Sequence, residues 1–445
     1  MSEKTYEIRD PIHGLVPYND LEREIINSFP FQRLRRVRQL AWTDYIYPGA
    51  MHTRFEHSIG VMHIAGRVFD ALFKDRRNKE IAENVFGLNS DERERRKQLV
   101  RLAALTHDLG HGPFSHPAED LFPDDDSVAG ERYKISHEEY SAWTIKGFID
   151  DILKSHKTGN RLAIDGSLVA SYIVGAPTDS GDALLKDIIS GTIDVDRMDY
   201  LLRDSYHCGV RYGQYDLERI INTIAICEDD ELEGEFSIGI NEDGIHAAEG
   251  LFIARFMMFT QVYMHKTRSI YDYHFENLMR DLLHESGGVF PSPRNLASLK
   301  QFLNWDDWRV LGCLSEGKGG IHGEIIRNRH HHRLVYQTNE VFDGEGEEER
   351  AQRRFEKVEA ATKKLGCIRR VASKSWYSQS VKSNILVRPS DGDSAKGNPL
   401  SRISAVVKSL RPVRQLRLYV PLANVDSAAG EIKAILARGG RNGKA

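Results

Sequence analysis

The sequence lacks three features that would assign it to a class at once: closely spaced cysteines, a long apolar run and an excess of basic residues. Its four cysteines stand far apart, which favours free thiols in a reducing compartment. No apolar run reaches the roughly 18 residues that a transmembrane helix needs. The net charge of −4 argues against general coating of nucleic acid. We therefore expect a cytoplasmic protein with no membrane partner.

One stretch, residues 105–116, carries an unusual density of polar chemistry. An apolar helical pattern runs into it and breaks at Gly110, so adjacent His107 and Asp108 lie at a buried helix end. A buried carboxylate must be paired, hydrogen-bonded or bound to a metal. A divalent cation would meet this need, although a structural His–Asp pair is an open alternative.

Matching signals occur far from this stretch. His57 lies near the start of a helical pattern upstream, and Asp196 lies within another downstream. The order His, His-Asp, Asp resembles the HD-domain metallophosphohydrolases. Further matches resemble the deoxynucleoside triphosphate (dNTP) triphosphohydrolases of that superfamily, in the branch that contains the mammalian sterile-alpha-motif and HD-domain protein. The matching motifs lie at 10–14, 31–35, 39–40, 48–50, 54–58, 107–116, 194–196, 199–200, 203–204 and 263–266.

The resemblance implies a mainly α fold, with an all-helical HD-domain metallophosphohydrolase core and the metal ligands His57, His107, Asp108 and Asp196. Histidine and aspartate together suit Mn, Fe, Zn or, less naturally, Mg, and the sequence does not choose among them.

Three residues close to the metal motif are candidates for proton transfer. His111 follows His107 by four residues, His116 comes just after the break, and Glu119 follows. These side chains can face the same cleft as general acid, general base or phosphate contact. His137 is a fourth candidate. It follows Ser136 in a capping-box pattern, where it is either a surface residue or a pocket acid, and the resemblance implies a phosphate contact.

The helix around Asp196 predicts a substrate face. Asp196, Tyr200 and Asp204 are spaced i, i+4 and i+8, which aligns them on one side of a helix. The resemblance implies that the tyrosine packs against the sugar and that the aspartate takes the 3′-hydroxyl. The other substrate residues that it implies are Gln39, Leu40, Arg54, Arg197, Arg255 and Tyr263. Phe259 replaces a pocket histidine of the branch.

Four arginines, at 33, 35, 36 and 38, cluster in one early segment. They form either a solvated helix face or a polyphosphate site. The resemblance implies a nucleotide activator site between subunits, with Gln32 and Arg35 in place and Asn27 where an acidic residue is expected. It thus implies a homo-oligomer, a dimer or tetramer.

We predict a catalytic core over 1–330, with a short N-terminal hairpin and an HD motif region at about 50–205, and a C-terminal α+β subdomain over 331–445. Strands are predicted at 334–337, 367–376, 383–387, 403–410 and 416–422, and helices at 347–365 and 428–437.

Three functions follow as hypotheses. The first is metal-dependent hydrolysis of dNTPs to deoxynucleoside and tripolyphosphate, regulated by nucleotides. The second is a phosphodiesterase or nuclease acting on single-stranded nucleic acid or a nucleotide signal, through the basic residues around Arg329 and Arg333. The third is a nucleotide-sensing module with little turnover. Tyr200, Asp204 and Tyr263 favour the first.

Overall fold

The computed structural model describes residues 4–125, 133–175, 177–229, 234–342, 344, 346–374, 385–390 and 395–441. The expected mainly α fold is confirmed. Among the described helices, none is long and apolar enough to cross a bilayer. The helices are α1 (Asp20–Ile26), α2 (Phe29–Arg33), α3 (Arg54–Leu72), α4 (Arg76–Phe86), α5 (Ser90–Thr106), α6 (His137–Thr144), α7 (Asp150–Ser155), α8 (Lys157–Arg161), α9 (Gly166–Ser171), α10 (Ser180–Ser190), α11 (Val195–Cys208), α12 (Leu217–Thr223), α13 (Ile245–Met258), α14 (Lys266–Leu282), α15 (Leu296–Leu303), α16 (Asp307–Ser315), α17 (Gly320–Asn328), α18 (Glu347–Thr362), α19 (Leu400–Ile403), α20 (Ala405–Ser409) and α21 (Val425–Arg441).

The strands are short and scattered along the chain. They are β1 (Thr5–Asp10), β2 (Gly14–Asn19), β3 (Asp124–Asp125), β4 (Tyr133–Lys134), β5 (Ile224–Asp229), β6 (Phe236–Asn241), β7 (Arg333–Gln337), β8 (Ile368–Lys374), β9 (Leu386–Arg388), β10 (Lys396–Pro399) and β11 (Val413–Val420). β1 and β2 form the expected N-terminal hairpin.

The chain forms two compact units built from interleaved segments. The first unit comprises Met1–Met258, Val289–Val310 and Tyr377–Ser409, and the second comprises Phe259–Gly288, Leu311–Trp376 and Leu410–Ala445. The two units do not follow the order of the chain: residues 259–288 and 311–330 lie in the second unit, and residues 377–409 lie in the first. The division into independently folding domains at residue 330 stays a prediction.

The centre of the first unit is a layer in which α3 packs against α5 and α11. A capping box of Thr53 and Glu56 fixes the start of α3. The apolar residues Val61 and Ile64 of α3, Leu102 of α5 and Met198 of α11 are fully buried. The layer therefore brings the start of α3, the end of α5 and the first turn of α11 into one region.

The first unit also holds a small closed barrel of strand order β10-β5-β6-β9. β5 and β6 pair antiparallel, and β9 and β10 join them from about 150 residues later in the sequence. The buried Arg388 of β9 donates to Asn78, Asn241 and the carbonyl of Ile226, which fixes the late strands to the early part of the unit.

In the second unit, β7 and β8 flank β11 in an antiparallel sheet that α18 and α21 cover. Phe355 and Val358 of α18 pack on Leu416 and Leu418 of β11. The predicted strands at 334–337, 367–376 and 416–422 and both predicted helices are present with shifted ends, whereas 375–376 and 383–384 lie outside the described residues.

The strand predicted at 403–410 is wrong, since α19 and α20 occupy this segment in the first unit. The Ser404 hydroxyl accepts from the backbone N–H of Val407, as an N-cap does, and this cap starts a helix despite the β-branched residues that follow.

The loop after α5 adopts a strained backbone. Phe114 and Ser115 have positive φ angles of 58° and 63°, which non-glycine residues rarely adopt. The carboxylate of Asp307 accepts the backbone N–H of Phe114 at 2.7 Å and that of Arg38 at 3.0 Å. The Phe114 ring stacks on Trp42 at 4.0 Å between centroids. Tertiary contacts therefore hold the loop in this conformation.

We expect Gly60→Ala to destabilise the first unit. A Cβ on Gly60 would clash with Asp199 and Arg203 of α11 across the helix interface. Overpacking of this kind costs about 1 to 3 kcal/mol, which urea denaturation can measure. The matched control is Gly430→Ala in α21, where the added Cβ meets nothing within 4 Å. This control should gain about 0.5 to 1 kcal/mol. Equal stability of the Gly60 variant and the wild type would contradict the close approach of α3 and α11.

Asp307 should make stability depend on pH. Burial raises the pKa of Asp307 to about 7 even though backbone hydrogen bonds oppose the shift. The folded state then holds a proton that the unfolded chain, with a pKa near 4, has already lost. The free energy of unfolding should therefore fall as the pH rises between these values, by roughly 2 to 4 kcal/mol from this group. Asp307→Asn should flatten this dependence in urea denaturation, and an unchanged slope would contradict it.

Candidate metal and catalytic site

Four side chains from three helices and one loop converge in the first unit. α3 supplies His57, the end of α5 and the loop after it supply His107 and Asp108, and the first turn of α11 supplies Asp196. His57 Nε2 lies 3.0 Å from Asp196 Oδ1 and 3.6 Å from Asp108 Oδ2. His107 Nε2 lies 3.2 Å from Asp108 Oδ1 and 3.7 Å from Asp196 Oδ1. The structure thus brings together all four predicted metal ligands.

The donor set fits a divalent cation. The Nε2 atoms of His57 and His107 are buried and face the carboxylates of Asp108 and Asp196, so both nitrogens can bind a cation once they have lost their protons. Burial by itself would lower the pKa of His57, but the carboxylates of Asp196, Asp199 and Asp108 raise it to about 10. This shift means that the surrounding carboxylates favour positive charge at the cluster, which a proton or a metal ion can supply.

The four predicted catalytic residues form a second cluster beside the first. The ligating atoms of His111, His116, Glu119 and His137 all lie within 4.8 Å of one another. Glu119 Oε1 is 2.6 Å from His116 Nδ1 and 3.1 Å from His137 Nδ1. His111 stacks on His137 at 3.9 Å, and its Nε2 lies 3.3 Å from Asp108 Oδ1, which links the two clusters.

The two stacked histidines have opposite pKa shifts. Burial, the Arg54 guanidinium and His137 hold the pKa of His111 well below its ordinary value. Burial would also lower the pKa of His137, but the hydrogen bond and the charge of Glu119 raise it. The shifts favour the neutral form of His111 and the protonated form of His137, a difference that suits one base and one acid.

The approach of α6 to the loop depends on Gly110. A Cβ on Gly110 would collide with backbone atoms of His137 and Ser141. The N–H of Gly110 donates to Ser141 Oγ at 2.8 Å, and Ser141 in turn donates to the carbonyl of His107. The loop and the first turns of α6 thus form one hydrogen-bonded assembly that carries both stacked histidines.

The predicted substrate residues of the first unit lie on or near α11, with the expected i, i+4, i+8 alignment. Tyr200 and the side chain of Arg255 interact, and Arg197 donates to the carbonyls of Gly191 and Thr192 at 2.9 and 2.7 Å. Arg54 is almost fully buried, where it pairs with Asp108 at 2.6 Å. Leu40 is also buried. Tyr263 belongs to the second unit.

Asp204 has a partner that the sequence did not reveal. Its Oδ1 lies 2.7 Å from His52 Nε2, and the ring of His52 stacks on His207. The backbone N–H of Gln39 donates to the carbonyl of His52, and the side-chain Oε1 of Gln39 is buried without a hydrogen bond. His52 thus links Asp204 to the backbone of Gln39, and both the carboxylate and the amide oxygen can accept from a hydroxyl group.

The arginine segment matches neither of the two interpretations as a whole. Arg33 is fully buried and donates to the carbonyls of His111 and Trp305, so it is neither solvated nor available to phosphate. Burial lowers the pKa of Arg33 to about 10. Gln32 accepts from Arg35 at 3.0 Å, and the Arg35 guanidinium lies over the ring of Phe55.

The sequence assigned no role to several further residues that contact the site. Asp199 and Arg203 form a buried ion pair behind His57, and their i, i+4 spacing on a predicted helix was an available signal. His13 contacts the same carboxylate from the N-terminal hairpin. Asp307, which holds the loop after α5, had no local signal, because its partners lie about 190 and 270 residues away.

Comparisons with known proteins agree with this geometry. The HD domain matches residues 54–204, and the HD associated region matches residues 215–366. An uncharacterized protein of Methanocaldococcus jannaschii is 36% identical over 339 residues, which cover 76% of this chain and 60% of the relative. The deoxynucleoside triphosphate triphosphohydrolase SAMHD1 homolog of Dictyostelium discoideum is 31% identical over 341 residues, 75% of this chain and 60% of the relative.

The chain thus spans about 60% of the length of these two curated relatives. The crystal structure of a hypothetical protein from Aquifex aeolicus is similar over a greater share, with a TM-score of 0.74 and 30% identity across 96% of this chain and 100% of that chain. The chain belongs to the HD-domain dNTPase family.

Proposed function

We propose that the protein is a metal-dependent phosphohydrolase that converts dNTPs to deoxynucleoside and tripolyphosphate. The observation that carries the proposal is the junction of the two clusters, where His111 lies 3.3 Å from Asp108. A predicted cation ligand, a histidine whose pKa is lowered and a histidine whose pKa is raised then border one small region. Hydrolysis of a phosphate ester can use a metal ion, a general base and a general acid together.

A divalent ion bound by His57, His107, Asp108 and Asp196 would polarise a phosphoryl oxygen and acidify a water molecule. His111, neutral and stacked on His137, can accept a proton at the same place. His137 can donate a proton to the leaving oxygen, because Glu119 raises its pKa and so favours its protonated form. Glu119 also orients His116, whose side chain is the more exposed of the two.

The surroundings of α11 support a deoxynucleotide as the substrate. The ring of Tyr200 can pack against a sugar carbon that lacks a hydroxyl, and the carboxylate of Asp204 can accept from a 3′-hydroxyl. Gln39 offers a buried oxygen nearby. Arg255 supplies positive charge beside Tyr200 for the phosphates. The name of the Dictyostelium relative agrees with this substrate class.

Nucleotide regulation and assembly into a dimer or tetramer are part of the proposal. The pair of Gln32 and Arg35 offers one amide and one guanidinium for an activating nucleotide.

The alternative of a nuclease acting through the segment 329–333 has less support. His331 is 95% buried and contacts Arg333, so this part of the second unit presents less basic surface than the sequence suggests.

The experiment that tests this function identifies the products. The full chain is incubated with each dNTP, singly and as a mixture, in Mn²⁺ or Mg²⁺, and the products are separated by ion-exchange chromatography. We expect equal amounts of deoxynucleoside and tripolyphosphate, with activity only in the mixture if a nucleotide activates the enzyme. Asp108→Ala should lower the rate by about 100-fold or more, because it removes a metal ligand.

The matched control is Glu94→Gln, which alters an exposed carboxylate paired with Arg161 and should leave the rate unchanged. Removal of metal by a chelator should abolish the activity, and added Mn²⁺ should restore it. Release of pyrophosphate or of single phosphates instead of tripolyphosphate would contradict the proposed reaction.

A second variant tests the sugar contact. Asp204→Asn should lower kcat/KM for a dNTP by about 10- to 100-fold, because a neutral amide accepts a weaker hydrogen bond from the 3′-hydroxyl than a carboxylate does. The same substitution should change hydrolysis of a 2′,3′-dideoxynucleoside triphosphate far less, since this substrate has no 3′-hydroxyl. An equal loss on both substrates would show that Asp204 does not contact this hydroxyl.

A further inference from the structure

The side chain of Asp199 lies directly behind the metal cluster, on the far side of the His57 ring. It is fully buried on α11, three residues after Asp196. Its Oδ2 lies 2.8 Å from His57 Nδ1, and its Oδ1 lies 2.7 Å from His13 Nε2. Arg203 donates to the two oxygens at 2.7 and 2.8 Å. Every contact of this carboxylate is therefore with a group that can donate a hydrogen bond.

The network extends into the N-terminal hairpin. Arg203 also donates to Asp10 Oδ2 at 2.8 Å, and Asp10 Oδ1 accepts the backbone N–H groups of Ile12 and His13. The turn between β1 and β2 is thus fixed on the same ion pair that contacts His57. Because Gly60 of α3 lies against Asp199 and Arg203 without a Cβ, α3 can approach closely enough for the His57 contact.

These contacts determine which nitrogen of His57 faces the cluster. A carboxylate that Arg203 keeps ionised can only accept, so His57 must carry its proton on Nδ1. The Nε2 atom is then the nitrogen left for a metal ion, and it is this atom that faces Asp108 and Asp196. A metal ion binds only the unprotonated nitrogen, and the partner of the other nitrogen sets the orientation of the ring.

We propose that Asp199 is a positioning residue of the metal site, and that His13 and Arg203 fix its carboxylate against His57 Nδ1. The N-terminal hairpin is then a structural part of the metal site, although no metal ligand lies in it. The inference rests on the metal-binding part of the proposed function, but it does not depend on the substrate.

The test measures metal affinity rather than activity. The metal-stripped full chain is titrated with Mn²⁺ in competition with a chromophoric chelator, and Asp108→Ala defines binding outside the site. Asp199→Asn should weaken Mn²⁺ binding by about 10- to 100-fold. The matched control is Glu22→Gln, since Glu22 is equally buried and paired with Arg101 but touches no metal ligand. This control should lose stability while keeping the affinity of the wild type.

A second pair of variants covers the case in which Asp199→Asn does not fold. His13→Leu removes a donor to Asp199 and should weaken Mn²⁺ binding by several-fold, whereas His13→Gln keeps an N–H donor and should restore most of the affinity. Wild-type affinity in a folded Asp199→Asn, or in His13→Leu, would overturn the proposal. So would the absence of any Asp108-dependent Mn²⁺ site in the wild type. Affinity that depends on Asp199 without dNTP hydrolysis would overturn only the proposed function.

Discussion

The compensation of buried carboxylates is the constraint on which the first unit depends. A carboxylate removed from water costs several kcal/mol unless a partner restores the lost interactions. Asp108 has Arg54 as its partner, and Asp199 has Arg203. The first pair joins α3 to the loop after α5. The second lies within α11 and anchors a network that reaches α3. These charges therefore fix how α3, the loop after α5 and α11 lie against one another.

Asp196 differs from these two carboxylates. The charged neighbours that lower its pKa are His57 and His107, with no arginine among its principal contacts. An imidazole can give up its proton to a competing metal ion, whereas a guanidinium cannot in practice. The negative charges of two carboxylates are therefore always balanced by arginines. The charge of the third is balanced by the histidines, and a metal ion can take over their role. This is why the cluster suits a divalent cation.

The sequence predicted the parts of the site that local order and spacing encode. Asp196, Tyr200 and Asp204 lie on one helix face because helical geometry alone requires it. The contacts of Arg33, of Asp307 and of β9 and β10 could not be predicted in this way. Each joins segments that are more than 70 residues apart, and no local pattern distinguishes a buried arginine from a solvated one. The helix at 405–409 was missed because a serine cap outweighed β-branched propensity.

These distant contacts also bear on why the two matched regions occur together in one chain. The loop after α5 belongs to the HD domain, whereas Asp307, which accepts the N–H of Phe114 in this loop, belongs to the HD associated region. Trp305 belongs to the same region, and its carbonyl accepts from Arg33, which also donates to the carbonyl of His111 in the loop. A backbone with positive φ at Phe114 and Ser115 is unfavourable by itself and persists only where surrounding contacts enforce it. The segment from 54 to 204 thus contains the predicted metal ligands and the four acid–base candidates, but only part of the contacts that keep them in place, such as the pair of Arg54 and Asp108. The geometry of the site is a property of the first unit as a whole rather than of its HD domain alone.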